Sequence, residues 1–299
     1  MIRALFLLLL LIAAPALAQD RGTLQPKELP PLKNPGAPDN IAKEVFGRAK
    51  EGAPGKPEVV GFYSKGCLQG GVALPLDGPH WQVMRPSRNR FWGHPDLVAF
   101  LQNVSVRVPQ ESGRAGILVG DMAQPRGGPM LTGHASHQSG LDADLWLMPM
   151  PARRFTRAER EELSATNVVR ADWLDVDPTV WSQDTIAFLR LLAREKRVER
   201  LFVNAAIKKA LCRDVKDDRS WLSKVRPMWG HNYHVHVRMT CPADAPDCAP
   251  QDKPPPGDGC DASLDWWFTD EALNPKPGKP RPPLRMADMP PACRRIAID

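Results

Sequence analysis

GHASHQSGLDADLWL (residues 133–147) and GHNYHVHVRM (residues 230–239) are the two stretches that decide the fold of this 299-residue chain. Each opens on Gly-His and then alternates apolar with polar residues, a pattern typical of a β-strand that buries one face. We therefore predict strands over residues 141–147 and 233–239. Both strands direct their apolar residues toward a core, so we expect them to lie in one sheet with a shared polar face.

The polar face of these strands carries a concentration of metal-binding residue types, and five of the seven histidines fall in the two stretches. In extended backbone, Asp144 lies on the same face as His234 and His236. His137 can reach the same point from the Gly/Ser-rich loop before the first strand. A lone histidine on a strand is usually structural. The combined spacing nevertheless predicts a metal site at His137, Asp144 and His236, because catalytic zinc takes three such ligands and keeps one open position.

Weaker patterns outside these strands complete the fold class. Helices are predicted over residues 41–49, 95–103, 182–196 and 205–211, and further strands over residues 115–122 and 198–204. The predicted class is α+β. A small, mainly antiparallel sheet is expected to carry the metal site, flanked by helices and by long, disulfide-tied loops.

The first 18 residues have the features of a secretory signal peptide. Arg3 precedes an apolar run over residues 5–14, which is short for a membrane span, and Ala16-Leu17-Ala18 is a small-x-small cleavage pattern. An uncleaved membrane anchor is the alternative. We predict cleavage, export, and no stable membrane insertion of the product.

Charge and composition indicate an anionic partner. The formal net charge is +6 and the pI is about 9.1. Nucleic acid is the usual partner of a basic chain, but the export signal argues against it. Outside the cytoplasm, the expected partners of a basic protein are anionic lipids or cell-wall polymers whose peptides carry free carboxylates.

The cysteine count also fits an exported protein, because an even number in an oxidising compartment indicates disulfides. No pair forms CxxC, and six cysteines allow fifteen pairings. Four of the six follow residue 211, where Pro, Asp and Gly are frequent and apolar residues few. The cysteines are Cys67, Cys212, Cys241, Cys248, Cys260 and Cys293.

Several motifs together resemble a known family. They are GDMAQPRGGPM (120–130), GHASHQSGLDADLW (133–146), FVNAAIKKALC (202–212), VRPMWGHNYHVHVR (225–238) and CPADAPDC (241–248). This set resembles the penicillin-insensitive murein endopeptidase family of the lysostaphin/D-Ala-D-Ala metallopeptidase superfamily. The resemblance covers essentially the whole chain after residue 18, from VMRPSRNR (83–90) to the last cysteine, Cys293. It implies a periplasmic zinc enzyme that hydrolyses the D-alanyl–meso-diaminopimelyl cross-link of peptidoglycan, and a single metallopeptidase domain over residues 19–299 with a Pro-rich N-terminal leader and a disulfide-tied C-terminal tail.

The resemblance also implies roles for individual residues. His137, Asp144 and His236 match the family's zinc ligands. His234 matches the residue that acts as base or transition-state stabiliser, and His231 matches a further active-site histidine. The chain has no HExxH motif, so His234 takes the place that a helical Glu has in other zinc peptidases.

A second metal and the disulfide pairing are further implications of the resemblance. His134, Asp172 and Asp175 match second-metal positions, although the acidic pair departs from the family's acid-plus-His pair, and simple solvation in ADWLDVD is the alternative. The family's disulfide order would pair Cys67 with Cys293, Cys212 with Cys260, and Cys241 with Cys248.

Substrate contacts are predicted from residue type. Arg85, Arg88 and Arg126 are candidates for holding stem-peptide carboxylates, since arginine binds carboxylates bidentately. Asp121 could hold a ligand histidine or the substrate amine. Ordinary ion pairing is the alternative for each. The tryptophans Trp229, Trp266 and Trp267 could line a groove, or could simply pack in the core.

Three other functions compete with a zinc endopeptidase. A zinc D-Ala-D-Ala carboxypeptidase would use the same ligands and trim uncross-linked stems. A non-catalytic wall-binding protein would be expected to have lost part of the ligand set, which is intact here. A metallophosphoesterase or nuclease would need more carboxylates near the metal.

Overall fold

The structure is a computed structural model that describes residues 21–25, 28–276, 278 and 282–299. The predicted signal peptide, residues 1–18, lies outside the described residues. Within the described ranges, no helix combines the length and apolarity needed to cross a membrane.

The described residues form eleven strands and seven α-helices. The strands are β1 (Glu58–Phe62), β2 (Lys65–Gln69), β3 (Val72–Ala73), β4 (Asp77–Gly78), β5 (Trp81–Val83), β6 (Trp92–Gly93), β7 (Ile117–Val119), β8 (Asp142–Trp146), β9 (Val198–Val203), β10 (Val225–Pro227) and β11 (His234–Met239). The helices are α1 (Ala42–Phe46), α2 (Pro95–Ser112), α3 (Arg157–Glu162), α4 (Gln183–Arg194), α5 (Ala205–Asp214), α6 (Asp270–Leu273) and α7 (Pro291–Ile296).

The central sheet has seven strands in the order β10-β9-β11-β8-β7-β5-β4. Four neighbouring pairs are antiparallel, whereas β10–β9 and β5–β7 are parallel. The prediction of a mainly antiparallel sheet in a mixed fold is confirmed, but the prediction that the sheet is small is wrong. The missed strands β4, β5 and β10 are two or three residues long, too short for an alternating pattern to emerge.

The two strands predicted from the opening motifs lie side by side. β8 and β11 are antiparallel, and His236 is paired with Asp144 in the register. On one face, Ala143 and Val237 are fully buried in the core cluster that includes apolar side chains of α2 and α4. The other face therefore carries the carboxylates and imidazoles, as the alternation predicts.

The helix α2 continues to Ser112, beyond the predicted end at residue 103. Leu101, Val104 and Val108 extend its buried stripe at helical spacing, and this packing outweighs the loss of one backbone hydrogen bond at Pro109. Gly113 ends the helix in the left-handed conformation that glycine adopts without strain.

A second hydrophobic core joins α1 and β2, near the start of the described chain, to α7 near its end. Phe46 of α1 and Ile296 of α7 are fully buried in one cluster with Cys67 and Cys293. All three disulfides have the pairing that the resemblance implies, namely Cys67–Cys293, Cys212–Cys260 and Cys241–Cys248. Cross-links thus fasten the C-terminal tail to the body.

Removing the Cys67–Cys293 bond is expected to destabilise the protein more than removing Cys241–Cys248. The first spans 226 residues of sequence and the second only 7. Because closing a longer loop restricts the unfolded chain more, the Cys67→Ser/Cys293→Ser variant should lose about 5 kcal/mol of unfolding free energy, and the Cys241→Ser/Cys248→Ser variant roughly 2 to 3 kcal/mol. Urea unfolding of both double variants measures the difference, and equal losses would contradict the prediction.

Candidate metal centre

The carboxylate of Asp144 is the point on which four imidazoles converge. Its Oδ1 lies 3.4 Å from Nε2 of His137 and 3.3 Å from Nδ1 of His236. Its Oδ2 lies 3.5 Å from Nδ1 of His134 and 3.5 Å from Nε2 of His234. Each oxygen of one side chain thus faces a different histidine pair. The structure brings together the predicted ligands and the predicted catalytic histidine.

The spacing of these atoms fits a tetrahedral ion. With metal–ligand bonds of about 2.0–2.1 Å, the edges of a ligand tetrahedron measure about 3.3–3.4 Å. The contacts of Asp144 Oδ1 with His137 and His236 have this length. Asp144 Oδ1 and both ring nitrogens of His137 are also buried without a hydrogen-bond partner. A buried polar atom without a partner destabilises the folded protein unless a ligand binds it, so this set of donor atoms suits a metal.

A grouping that includes His134 is also compatible with a metal. One ligand atom each from His134, His137 and Asp144 lies within 4.8 Å of the others. A site that includes His134 and a site that includes His236 would share His137 and Asp144 as ligands. The His-His-Asp cluster could bind a metal in either combination.

The local backbone places His137 and His231 in the left-handed conformation, with φ of 65° and 50°. This conformation is uncommon for residues other than glycine and is frequent at functional sites. The backbone N–H of His137 donates to Oδ2 of Asp142 at 3.1 Å. A carboxylate from the neighbouring strand therefore fixes the turn that presents the imidazole.

Asp142 orients both predicted histidine ligands. Besides its contact with the backbone of His137, its Oδ1 lies 3.2 Å from Nε2 of His236. A carboxylate beside Nε2 favours a proton on that nitrogen, so Nδ1, which faces Asp144, is the nitrogen that a metal can bind in exchange for its proton. Asp142 is itself held by Arg238, whose Nε and Nη2 donate to its two oxygens at 2.9 and 3.0 Å.

Arg238 is fixed from outside the site as well. Its Nη1 donates to Oε1 of Gln251 at 2.8 Å, and its guanidinium lies 4.0 Å from the ring centroid of Tyr63. The hydroxyl of Tyr63 in turn donates to the carbonyl of Met239. A rigid layer thus lies beneath the ligands. It follows the strand alternation, because Arg238 and Asp142 form the rung next to His236 and Asp144.

The electrostatics separate the histidines into neutral and protonated types. Burial lowers the pKa of His234 to about 4 and that of His231 to about 3, in each case with help from neighbouring imidazoles. Burial also lowers the pKa of His236, but Asp142 and Asp144 outweigh it and raise that pKa to about 9. At neutral pH, His234 and His231 are therefore uncharged and only weakly basic.

The tautomer of His231 is fixed by its surroundings. Its Nδ1 lies 2.7 Å from the carbonyl oxygen of Trp229, which can only accept a hydrogen bond. Nδ1 therefore carries the proton and Nε2 carries a lone pair. The His231 ring centroid lies 4.9 Å from that of His234, so this lone pair belongs to the same cluster.

Asp121 joins His134 to two arginines. Its Oδ2 lies 3.0 Å from Nε2 of His134 and accepts hydrogen bonds from Arg88 and Arg90, each at 3.0 Å. Burial alone would raise the pKa of Asp121, but His134 and the two arginines hold it well below its usual range. Asp121 is thus a permanent anion that positions His134. Of the two roles predicted for it, this contact favours the histidine-holding one.

A cavity of about 250 Å³ opens beside the cluster. It is lined by Arg85, Arg88, Arg90, Gly120, Asp121, Gly133, His134, Asp144, Trp146, Tyr233 and His234. Two of the three arginines predicted to bind substrate, Arg85 and Arg88, are therefore at the site. Arg85 is braced by hydrogen bonds to the carbonyls of Arg160 and Leu163, each 2.7 Å long.

The other predicted substrate and second-metal residues lie elsewhere or have other partners. Arg126 donates to the carbonyls of Glu51 and Ile296 and is not among the described residues that line the cavity. Asp172 pairs with Arg170, and Asp175 accepts two hydrogen bonds from Arg213. Both carboxylates therefore already have cationic partners.

The predicted tryptophan group forms a surface cluster. Trp229 and Trp266 are 50% and 41% exposed, and ring centroids within the group of Trp229, Trp266 and Trp267 are 4.8–5.8 Å apart. The indole N–H of Trp229 donates to the carbonyl of Ala272. Core packing therefore does not account for Trp229 and Trp266.

Sequence reasoning missed three residues of the site. The strand alternation already places Asp142 on the polar face with Asp144, although it gives Asp142 no role, and extending the alternation by two residues beyond His236 would have found Arg238. Arg90 gave no such signal, because it reaches Asp121 from a segment without periodicity.

Known proteins resemble this chain over most of its length. Residues 59–297 match the sequence profile of the penicillin-insensitive murein endopeptidase family. A penicillin-insensitive murein endopeptidase of Yersinia enterocolitica is 44% identical over 242 residues, which cover 81% of this chain and 86% of that protein. A protein of the same name from Escherichia coli is 42% identical over 258 residues, which cover 86% and 92% of the two chains.

Proposed function

This chain belongs to the penicillin-insensitive murein endopeptidase family, and on that basis we propose that it is a periplasmic zinc endopeptidase. It hydrolyses the D-alanyl–meso-diaminopimelyl cross-links of peptidoglycan, and residues 19–299 form its single metallopeptidase domain. The observation that carries the proposal is the convergence of His137 and His236 on one buried oxygen of Asp144. A wall-binding protein without activity would have no need of this arrangement.

His137, Asp144 and His236 would hold one zinc ion. A zinc ion there supplies Lewis-acid polarisation of the scissile carbonyl and makes water more acidic. Asp142 and Asp144 lie on either side of His236 and keep its side chain oriented. His134, Asp144 and His234 line the cavity. His134 would complete a second position, but Asp172 and Asp175 pair with arginines, so we propose a single ion.

His234 is the proposed catalytic histidine. It is uncharged at neutral pH, and both of its ring nitrogens are buried without a hydrogen-bond partner. Its Nε2 lies 3.5 Å from Oδ2 of Asp144, whereas His137 and His236 contact the other oxygen, Oδ1. From there it can take a proton from water or donate a hydrogen bond to the developing oxyanion. His231, with a free Nε2, stands next to it and would assist.

The cavity suits a substrate that carries a carboxylate. Arg85 and Arg88 face it, and arginine is the side chain that best matches a carboxylate in geometry. We propose that they hold a stem-peptide carboxylate near the scissile bond. Arg126 is not part of this proposal, because it contacts Glu51 and Ile296 instead.

This chemistry gives penicillin no target. A β-lactam inactivates enzymes by acylating a nucleophilic side chain, whereas water is the nucleophile here. All six cysteines of the chain are in disulfides, so none is a thiol nucleophile.

Asp142→Asn is expected to weaken zinc binding by about tenfold to a hundredfold, the usual effect of losing an outer carboxylate. The amide would lose the charge that holds the Nε2 proton of His236 and would disturb the His137 backbone contact. Competition with a chromophoric chelator measures the zinc affinity. The control is Asp218→Asn, which removes a carboxylate from an exposed arginine pair and should leave the affinity unchanged. An unaltered affinity in Asp142→Asn would rule out the positioning role.

Digestion of purified muropeptide dimers tests the function directly. The protein without residues 1–18 should convert D-alanyl–meso-diaminopimelyl dimers to monomers, as read by mass spectrometry. Chelation should stop the reaction and zinc should restore it. Release of a single terminal D-Ala would instead indicate the carboxypeptidase, and full zinc loading without cleavage would indicate a binding protein.

A further inference from the structure

A second and larger cavity adjoins the metal-site cavity. Its volume is about 870 Å³, compared with about 250 Å³ beside the metal ligands. Arg88 and Arg90 line both cavities, so the two are neighbours separated by these side chains. Ligands larger than a few atoms occupy pockets of about 300–1,000 Å³. The smaller cavity is below this range and the larger one is within it.

Positive charge dominates the larger cavity, which we call the basic groove. The charged residues that line its described part are Arg21, Glu28, Arg48, Lys50, Arg88 and Arg90. Five cations thus face one carboxylate. Asp121 offsets Arg88 and Arg90 from the side of the metal site, yet the balance stays positive.

The N-terminal leader forms one wall of the basic groove. Glu28, Leu29 and Pro31 line it. Several contacts attach the leader to the body. Arg48 donates two hydrogen bonds to the carbonyl of Pro30, at 2.9 and 3.1 Å. The backbone N–H of Thr23 donates to the hydroxyl of Ser87 at 3.0 Å.

An endopeptidase must bind peptide on both sides of the bond it cuts. The metal-site cavity leaves room for the groups next to that bond, and the peptide beyond it needs a further site. Building on the proposed function, we propose that the basic groove binds the carboxylate-bearing stem peptide on one side of the cross-link. Charge complementarity with the stem carboxylates and continuity through Arg88 and Arg90 are the reasons.

Lys50 and Glu28 allow a test in which the two changes act in opposite directions. They form an ion pair on the wall of the groove, and both side chains are 76% exposed. Lys50→Gln removes a cation, so KM for a muropeptide dimer should rise about threefold. Glu28→Gln removes the carboxylate, so KM should fall by a similar factor, the size that one screened surface charge provides. In both variants kcat should stay within about twofold. Loss of a merely structural ion pair would move KM in the same direction in both variants.

Two further measurements test whether these changes in KM come from substrate binding in the basic groove. Arg194→Gln removes a comparably exposed arginine that pairs with Asp218 on α4, and it should leave KM unchanged. On a dimer whose free carboxylates are amidated, the KM values of Lys50→Gln and Glu28→Gln should converge. If the wild type cleaves dimers but the two variants match it on the acidic dimer, the groove proposal is wrong. If the wild type cleaves no dimer, the proposed function itself fails.

Discussion

Asp144→Ala should abolish zinc binding and lower kcat for dimer cleavage by about three orders of magnitude. Asp144 is central because each of its oxygens faces two histidines. Without it, the remaining imidazoles have no shared anion to hold a cation among them. A lost Lewis acid removes several kcal/mol of transition-state stabilisation, and each 1.36 kcal/mol is tenfold in rate.

Metal content after dialysis and kcat on the same preparation measure this effect together. Asp218→Ala, at an exposed carboxylate paired with Arg194, is the matched control and should keep both values. A variant at Asp144 that retains one equivalent of zinc and more than a tenth of the activity would contradict the proposed ligand set. Circular dichroism of the Asp144→Ala protein separates loss of metal from loss of fold.

The sequence predicts the centre of this fold better than its edges. Alternation over β8 and β11 sets which residues face the core, and the structure has that arrangement. The short strands β4, β5 and β10 are too short to carry a pattern of their own. Parallel pairing with β7 and β9, which are distant in sequence, defines β5 and β10, and β4 is defined by its two-residue pairing with β5. Tertiary packing likewise decided the length of α2, which extends past Pro109 while its apolar stripe continues.

The same contrast holds for the site. Residues on the two strands are predictable because period two fixes which side chains share a face. Residues on loops are not. Arg126 was expected near the substrate, but its guanidinium contacts Glu51 and Ile296, and the distant C-terminal tail, fastened by Cys67–Cys293, decides that contact. Arg90 reaches Asp121 from a segment whose path no local pattern shows.

His234→Ala should lower kcat by about a hundredfold to ten-thousandfold, the range that covers a lost general base and a lost oxyanion donor, while zinc content stays near one equivalent. His234 is outside the proposed ligand set, so its loss should spare the ion, unlike Asp144→Ala. The control is His80→Ala. His80 contacts the carbonyl of Ala115, and its replacement should leave kcat unaltered. Loss of zinc in His234→Ala would mean that His234 is a ligand.

His234→Gln then distinguishes the two roles proposed for this residue. A glutamine side chain can donate a hydrogen bond to an oxyanion but cannot accept a proton at neutral pH. If His234 stabilises the oxyanion, Gln should restore about tenfold or more of the rate that Ala loses, since one such donor contributes about a hundredfold to a thousandfold. If His234 is the base, Gln and Ala should be equally slow. Burial keeps the pKa of His234 at about 4, so the imidazole is uncharged at neutral pH but only weakly basic. Donating a hydrogen bond to an oxyanion does not require basicity, so we expect the first result.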